Sequence, residues 1–362
     1  MNRGIGRRQL VSGVGELRLG RRYWQCRCGA DGSYAADAAV GIAGHLTVPL
    51  QKHVCRLTAD VAFAKAADHL NALLEVSLSP ETLRTVSHER GREMARHQPK
   101  DEAAAQLFRH AAGAVAFTVD AGKVNTRERG WKDLKIGVIQ KRAAGEPVSP
   151  GDWPDQRLPG ATATVAFARI ATAKDFAGDG KKWLRRLGVR PFGEVHVLGD
   201  GADWIWKQAN RVLTGGVQTL DFFHGCEHLG KAAERIHGEG TPGRAACFDR
   251  GKELLLTQGW TGVCAWVDEQ LRGTDGEEQS RRQRLTDRVL LSFAKHATRL
   301  NYAERLASGR AIGSGSVEGQ AKTLGLRLKA RGARWNIRNV RKMASLVNVR
   351  NSSQWDTYWN AV

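Results

Sequence analysis

Residues 114–120 read Ala-Val-Ala-Phe-Thr-Val-Asp and residues 194–202 read Glu-Val-His-Val-Leu-Gly-Asp-Gly-Ala. Each is a short apolar run closed by an aspartate, the pattern of a buried strand that delivers a carboxylate at its end. Around them, GWKDLKIGVIQKR (130–142) and ATATVAFARI (161–170) alternate apolar and polar residues as strands do. KDFAGDGKKWLRRLG (174–188) and DWIWKQANRVL (203–213) carry helical spacing, and VQTLDFF (217–223) reads as a last strand. The order of three strands, helix, strand, helix, strand predicts an α/β fold, a mixed sheet with helices on its faces. Residues 225–311 lack strand signals and read as a helical insertion with a polar break at 272–284. A Gly/Ser turn at 313–316 then leads into a helix that carries Glu318.

The chain has 362 residues, 56 Lys and Arg against 37 Asp and Glu, and a formal charge of +19. That excess favours a polyanion held through phosphate contacts, with DNA the leading partner. No run of about 18 apolar residues is present, and the basic first residues lack a continuous apolar core, so neither a membrane span nor a secretory signal is expected. A cytoplasmic, nucleoid-associated chain is the resulting expectation.

Residues 1–56 hold nine Lys or Arg and three acids, and Tyr23 to Gly29 looks like one strand and knuckle of a zinc ribbon around Cys26 and Cys28. A ribbon needs four ligands, and the nearest other pair, His53 and Cys55, is two residues apart on an expected helix and points to different faces. Residues 57–112 read as a helical region. Apolar residues recur from Val54 to Leu74, and Ser79-Pro80 starts a second helix with Ser79 as its cap. Two helices joined by a turn suggest a helix-turn-helix presenting Arg84 and Arg90 to a DNA groove, and a plain helical hairpin fits equally well.

Phosphodiester chemistry suits two Mg²⁺ ions about 4 Å apart held by carboxylates, with Mn²⁺ able to substitute. Asp120, Asp200 and Glu318 are the three candidate ligands. Any one of them has an ordinary reading, as a turn, a cap or a solvated helix residue. Their joint placement on the first strand, the fourth strand and a late helix is the arrangement used by RNase H-like nucleotidyl transferases. Val119-Asp120-Ala121-Gly122, Gly130 to Lys135, Leu198 to Trp206 and Ile312 to Gly319 together resemble the ISKra-type bacterial insertion-sequence transposases, related to the Mutator group. The resemblance spans about residues 20–360. It implies an RNase H-like core in two parts (113–224 and 312–335), Asp120, Asp200 and Glu318 as a DDE metal triad, and Asp221 to His224 as an Asp-x-x-His element beside it. It also implies cleavage at transposon ends, strand transfer into target DNA, and a homo-oligomer on DNA.

Helical spacing puts His228 on the face of His224, so Asp221, His224 and His228 are placed to orient one another. Trp204 and Trp206, just past Asp200, are candidates for stacking on an unpaired base, against the plainer reading of helix packing. Between Gly319 and Trp355 there are nine Lys or Arg and no acid. Lys322, Arg327, Lys329, Arg331 and Arg334 are therefore candidate DNA contacts, with 336–362 a basic helical tail. Two other readings share these features: an inactive remnant that represses by occupying terminal repeats, and a nuclease or resolvase that cuts without joining.

Overall fold

The computed structural model describes residues 2–28, 32–34, 37, 42–190, 195–330 and 332–362. Strands β1 (Asn2–Ser12) and β2 (Gly15–Trp24) form an antiparallel ribbon, where the sequence had suggested only the one strand before Cys26. Two short strands, β3 (Ile42–Ala43) and β4 (Leu46–Thr47), extend it, with Val11 opposite Leu46. Helices α1 (Val48–Thr58), α2 (Phe63–Leu74), α3 (Pro80–His97) and α4 (Glu102–His110) follow. The single apolar periodicity from Val54 to Leu74 is thus two helices, broken where Asp60 pairs with Arg350. The expected start of α3 holds: Ser79 Oγ accepts from the Thr82 backbone N–H at 3.1 Å, and Pro80 occupies the first turn.

Strands β5 (Ala114–Thr126), β6 (Gly130–Arg142) and β7 (Ala163–Ile170) form an antiparallel meander. After α5 (Ala173–Arg186), β8 (Val195–Gly199) joins β5 in parallel. After α6 (Asp203–Val212), β9 (Val217–Leu220) joins β8, also in parallel. The sheet order is β7-β6-β5-β8-β9, and the element order is the one expected from the hydrophobic pattern.

Helices α7 (Phe222–His237), α8 (Pro242–Gln258), α9 (Trp260–Leu271), α10 (Gly276–Ala294) and α11 (Tyr302–Ala307) come next. They share one continuous hydrophobic cluster with the sheet, in which Phe117, Val119 and Phe167 meet Leu229, Trp266, Phe293 and Tyr302. The expected polar break at 272–284 is confined to residues 272–275. Beyond it Glu278 pairs with Arg281 and Arg282, so the charge run is the outer face of α10.

Helices α12 (Gly315–Leu328), α13 (Ile337–Arg350) and α14 (Gln354–Asn360) cover the other face of the sheet. Val124, Ile136 and Val138 pack there against Leu324, Met343, Val347 and Trp355, together with Cys55 and Met94 from α1 and α3. The basic tail expected at 336–362 is therefore a core element: Arg338 and Arg341 are exposed, while Val340, Met343, Leu346, Val347 and Val349 are buried.

Helices α3 and α13 touch backbone to backbone. A Cβ built on Gly91 would lie 2.4 Å from the Lys342 carbonyl oxygen, a contact no side-chain rotation relieves. Gly91→Ala should therefore destabilise the fold by about 1–3 kcal/mol, the usual cost of overpacking. Urea unfolding measures this as a lowered midpoint at unchanged slope; an unchanged midpoint would show that the two helices separate freely.

Candidate active site

Parallel pairing of β5 with β8 ends at Val119 opposite Gly199, and the next residue on each strand is an aspartate. Adjacent strands lie about 4.8 Å apart, so Asp120 and Asp200 leave the sheet side by side. Asp200 follows its strand as expected. Asp120 differs from expectation: it lies inside the 13-residue β5, which continues past the end of β8 paired to β6 as far as Thr126. What ends at Asp120 is the parallel partner, since pairing with β8 stops at Val119.

Strand alternation places Asp120 on the face of Thr118, whose Oγ1 lies 2.9 Å from Ser316 Oγ at the start of α12. Helix α12 thereby crosses the same face, with Glu318 exposed on its first turn. Beside it a cavity of about 590 Å³ opens between Thr118, Ser316, Trp153 and Phe223, with Arg142 and Lys252 in its wall.

The buried Asp221 holds this end of the molecule together. Its Oδ1 accepts from the His224 backbone N–H at 2.8 Å, capping α7; its Oδ2 accepts from Ser314 N at 2.6 Å and from Ser314 Oγ at 2.9 Å. Ser314 Oγ also lies 2.8 Å from Glu318 Oε1, so one hydroxyl links the two carboxylates. Asp221 thus meets His224 through the backbone and not through the imidazole, which corrects the expectation that their side chains orient one another. The rings of His224 and His228 do meet, edge to face with centroids 5.0 Å apart, and burial lowers the His228 pKa with His224 adding to the fall. The His224 ring rests against Gly201, where a Cβ would lie 2.9 Å from Nε2, so this histidine borders the Asp200 loop. Ser314 went unrecognised in the sequence; its only signal was the Gly/Ser turn before α12.

Burial raises the Asp120 pKa, the Ala121 backbone N–H opposes the rise, Asp200 adds to it, and Lys329 and Asp221 exert smaller effects of opposite sign. A divalent cation suits this surplus of negative charge. One oxygen of each aspartate already accepts a local hydrogen bond, Asp120 Oδ1 from Ala121 N at 2.6 Å and Asp200 Oδ1 from Ala202 N at 2.9 Å, while Glu318 Oε1 shares the one Ser314 hydroxyl proton with Asp221. Among the described residues no group of three or more His, Cys, Asp or Glu side chains is arranged to hold a metal ion. The three acids are therefore not gathered around one point: Asp120 and Asp200 follow the paired ends of β5 and β8, and Glu318 is turned to Ser314. His53 and Cys55 on α1 diverge as expected, one exposed and one buried.

The expected DNA contacts divide. Lys322, Lys329 and Arg334 are exposed, and Arg84 is exposed but paired with Glu81. Arg331 lies outside the described residues. Arg90 is buried, bonded to Gln51 and Glu93 and stacked 5.6 Å from the Trp359 ring centroid. Arg327 is buried too, donating to the Thr58 carbonyl between the Phe63 and Trp335 rings, and burial pushes its pKa down to about 10. Neither can reach a phosphate from that position. Trp206 is buried with Arg299 4.6 Å over its ring, and Trp204 is half-buried beneath Lys135 at 4.1 Å, so helix packing accounts for both. No protein-family model matches the chain, and no curated protein is significantly similar to it.

A carboxyl whose pKa is raised on folding binds its proton more tightly in the native state, so its contribution to stability is lost as pH rises from the unfolded value of about 3.9 through the native one. Asp120→Asn should accordingly raise the thermal midpoint at pH 7 and flatten its decline above pH 4. A lower midpoint at pH 7 would mean that the Asp120 charge is stabilised in the native protein.

Proposed function

We propose that the chain is a DDE transposase of an insertion sequence, with an RNase H-like catalytic core and Asp120, Asp200 and Glu318 as its acids. One observation carries this reading: two aspartates leave adjacent parallel strands at the same level, facing a helix that brings a glutamate across the same side of the sheet. No helix among the described residues is long and apolar enough to cross a bilayer.

Two Mg²⁺ ions, or Mn²⁺ in their place, would activate the attacking oxygen and stabilise the leaving one when bound. Asp120 and Asp200 would hold them, joined by Glu318 once its carboxylate turns away from Ser314. In the first displacement a water oxygen bonds to phosphorus at the transposon end, its proton passes to solvent, and the P–O3′ bond breaks to free a 3′-OH. In the second, that 3′-OH attacks a target phosphodiester and displaces the target's own 3′ oxygen. Lys322 and Lys329, exposed on and just beyond α12, would hold backbone phosphates beside the reacting group, and Arg334 would extend the contact. Asp221 keeps α12 in place through Ser314, and His224 borders the Asp200 loop. Joining two ends requires a homo-oligomer on DNA, working at the nucleoid in the bacterial cytoplasm.

A second reading, a DNA-binding remnant that represses related elements, draws support from the three acids each engaging a local donor rather than facing one point. Labelled transposon-end duplexes incubated with Mg²⁺ and a target plasmid separate the possibilities. A transposase gives end cleavage and strand-transfer products, a nuclease or resolvase gives cleavage alone, and a remnant gives binding alone. Asp200→Asn should abolish cleavage while changing duplex affinity less than about twofold, because affinity comes mainly from Lys and Arg. Cleavage that survives Asp200→Asn contradicts the assignment.

A further inference from the structure

The β1–β2 ribbon has two chemically distinct faces. Gly6, Arg8, Leu10, Leu17, Leu19 and Arg21 alternate onto the inner one. There Arg8 and Arg21 both pair with Asp37, and Arg21 lies 3.8 Å over the Tyr34 ring. A Cβ at Gly6 would lie 2.4 Å from the Tyr34 hydroxyl, so this face is packed closely. Arg7, Arg18 and Arg22 alternate onto the outer face, Arg3 sits in the bulge that precedes Ile5, and all four are exposed. None of these four makes a hydrogen bond or ion pair among the described residues. The acid on that face, Glu16, is held by Gln9.

Register turns three of the four cations into a row. Arg22 stands opposite Ile5, Gly20 opposite Arg7, and Arg18 opposite Gln9. From Arg22 through Arg7 to Arg18 a guanidinium therefore comes from alternate strands every second residue, about 7 Å apart along the ribbon at 3.3–3.4 Å per residue, and Arg3 stands before them in the bulge. Successive phosphates of a DNA strand advance about 3.4 Å along the helix axis, so the row offers about one cation for every second phosphate. Gly20 leaves room beside Arg7, and Ile5 (70% exposed) and Trp24 (46% exposed) stand on the same face. Such apolar groups suit thymine methyls and base edges.

We infer that the outer face of the β1–β2 ribbon binds duplex DNA by lying in the major groove, with Arg3, Arg7, Arg18 and Arg22 on the flanking phosphates. A two-stranded ribbon fits the major groove of B-form DNA, about 12 Å wide, whereas the deep and narrow major groove of A-form RNA does not admit one. Two separated apolar residues do not make the continuous apolar face that a lipid surface requires. Helix α3, the sequence-based candidate for groove recognition, is committed to α13 at Gly91 and has Arg90 turned inward. The ribbon replaces it in that task. The inference rests on the DNA-processing reading above for its biological setting.

The test uses the full chain without divalent metal and a 30-base-pair mixed-sequence duplex, with affinity followed by fluorescence anisotropy across a salt series. The variant R3Q/R7Q/R18Q/R22Q removes four phosphate contacts and should flatten the slope of log affinity against log salt by about 3.6, at about 0.9 per contact. R3K/R7K/R18K/R22K should keep the original slope, and circular dichroism of both should match the parent, since all four side chains are exposed. A duplex whose cytosines carry glucosylated hydroxymethyl groups, which fill the major groove, should bind the parent more weakly. An unchanged slope in the Gln variant overturns the inference, and so does equal affinity for the filled groove. Equal competition by duplex RNA, or by vesicles of phosphatidylglycerol and phosphatidylcholine, overturns the choice of DNA. Mg²⁺-dependent cleavage is scored separately: a flattened slope without cleavage leaves the ribbon standing and removes the transposase, and cleavage with an unchanged slope does the reverse.

Discussion

Four elements meet at Asp221. Its backbone N–H donates to the Gly199 carbonyl at the end of β8, and its carboxylate caps α7 and receives both the N–H and the hydroxyl of Ser314 ahead of α12. A buried carboxylate without such partners would be strongly destabilising, whereas one that accepts two backbone N–H groups and shares a hydroxyl proton fixes the geometry around it. Because Ser314 is held, α12 begins where it does, Thr118 meets Ser316, and Glu318 arrives on the face that carries Asp120. The next backbone bond, from Phe222 N to the Ile312 carbonyl, ties the same turn a second time. The place of Glu318 relative to the two aspartates thus depends on a buried carboxylate that is not among the three acids.

Much of this was legible in the sequence, for identifiable reasons. Apolar runs ending at Asp120 and Asp200, and the alternation in β6 and β7, are direct imprints of a sheet buried on both faces. Ser79-Pro80 announced α3 because capping chemistry is local. The extent of β5 was hidden, since Ala121-Gly122-Lys123 carries no apolar alternation and is held in the strand by β6. The N-terminal ribbon was hidden for a related reason: its inner face carries Gly6 and two arginines paired with Asp37 beside Leu10, Leu17 and Leu19, so the apolar alternation is short and interrupted. Charge counting also misread Arg90 and Arg327. A guanidinium can be buried against aromatic rings when its N–H groups find oxygen acceptors, and sequence gives no sign of which arginines do so.

The site carries its own electrostatic tension. Desolvation and a neighbouring aspartate both work against the ionised form of Asp120, with Lys329 a partial counterweight. Such an arrangement lowers stability and is retained where a cation or a phosphate-bearing ligand compensates it, a common trade between stability and activity. Asp120 and Asp200 each satisfy one oxygen through a neighbouring backbone N–H, which lowers the cost of holding like charges together.

The proposed catalysis requires a divalent cation between Asp120 and Asp200 at the end of the β5–β8 pairing. Crystals soaked in MnCl₂ and measured at the manganese absorption edge test it most directly. The account predicts an anomalous peak between the two aspartate carboxylates, with Glu318 turned from Ser314 toward it, and loss of that peak in crystals of Asp200→Asn. Well-ordered aspartates with no peak between them, or manganese bound only elsewhere, would contradict it.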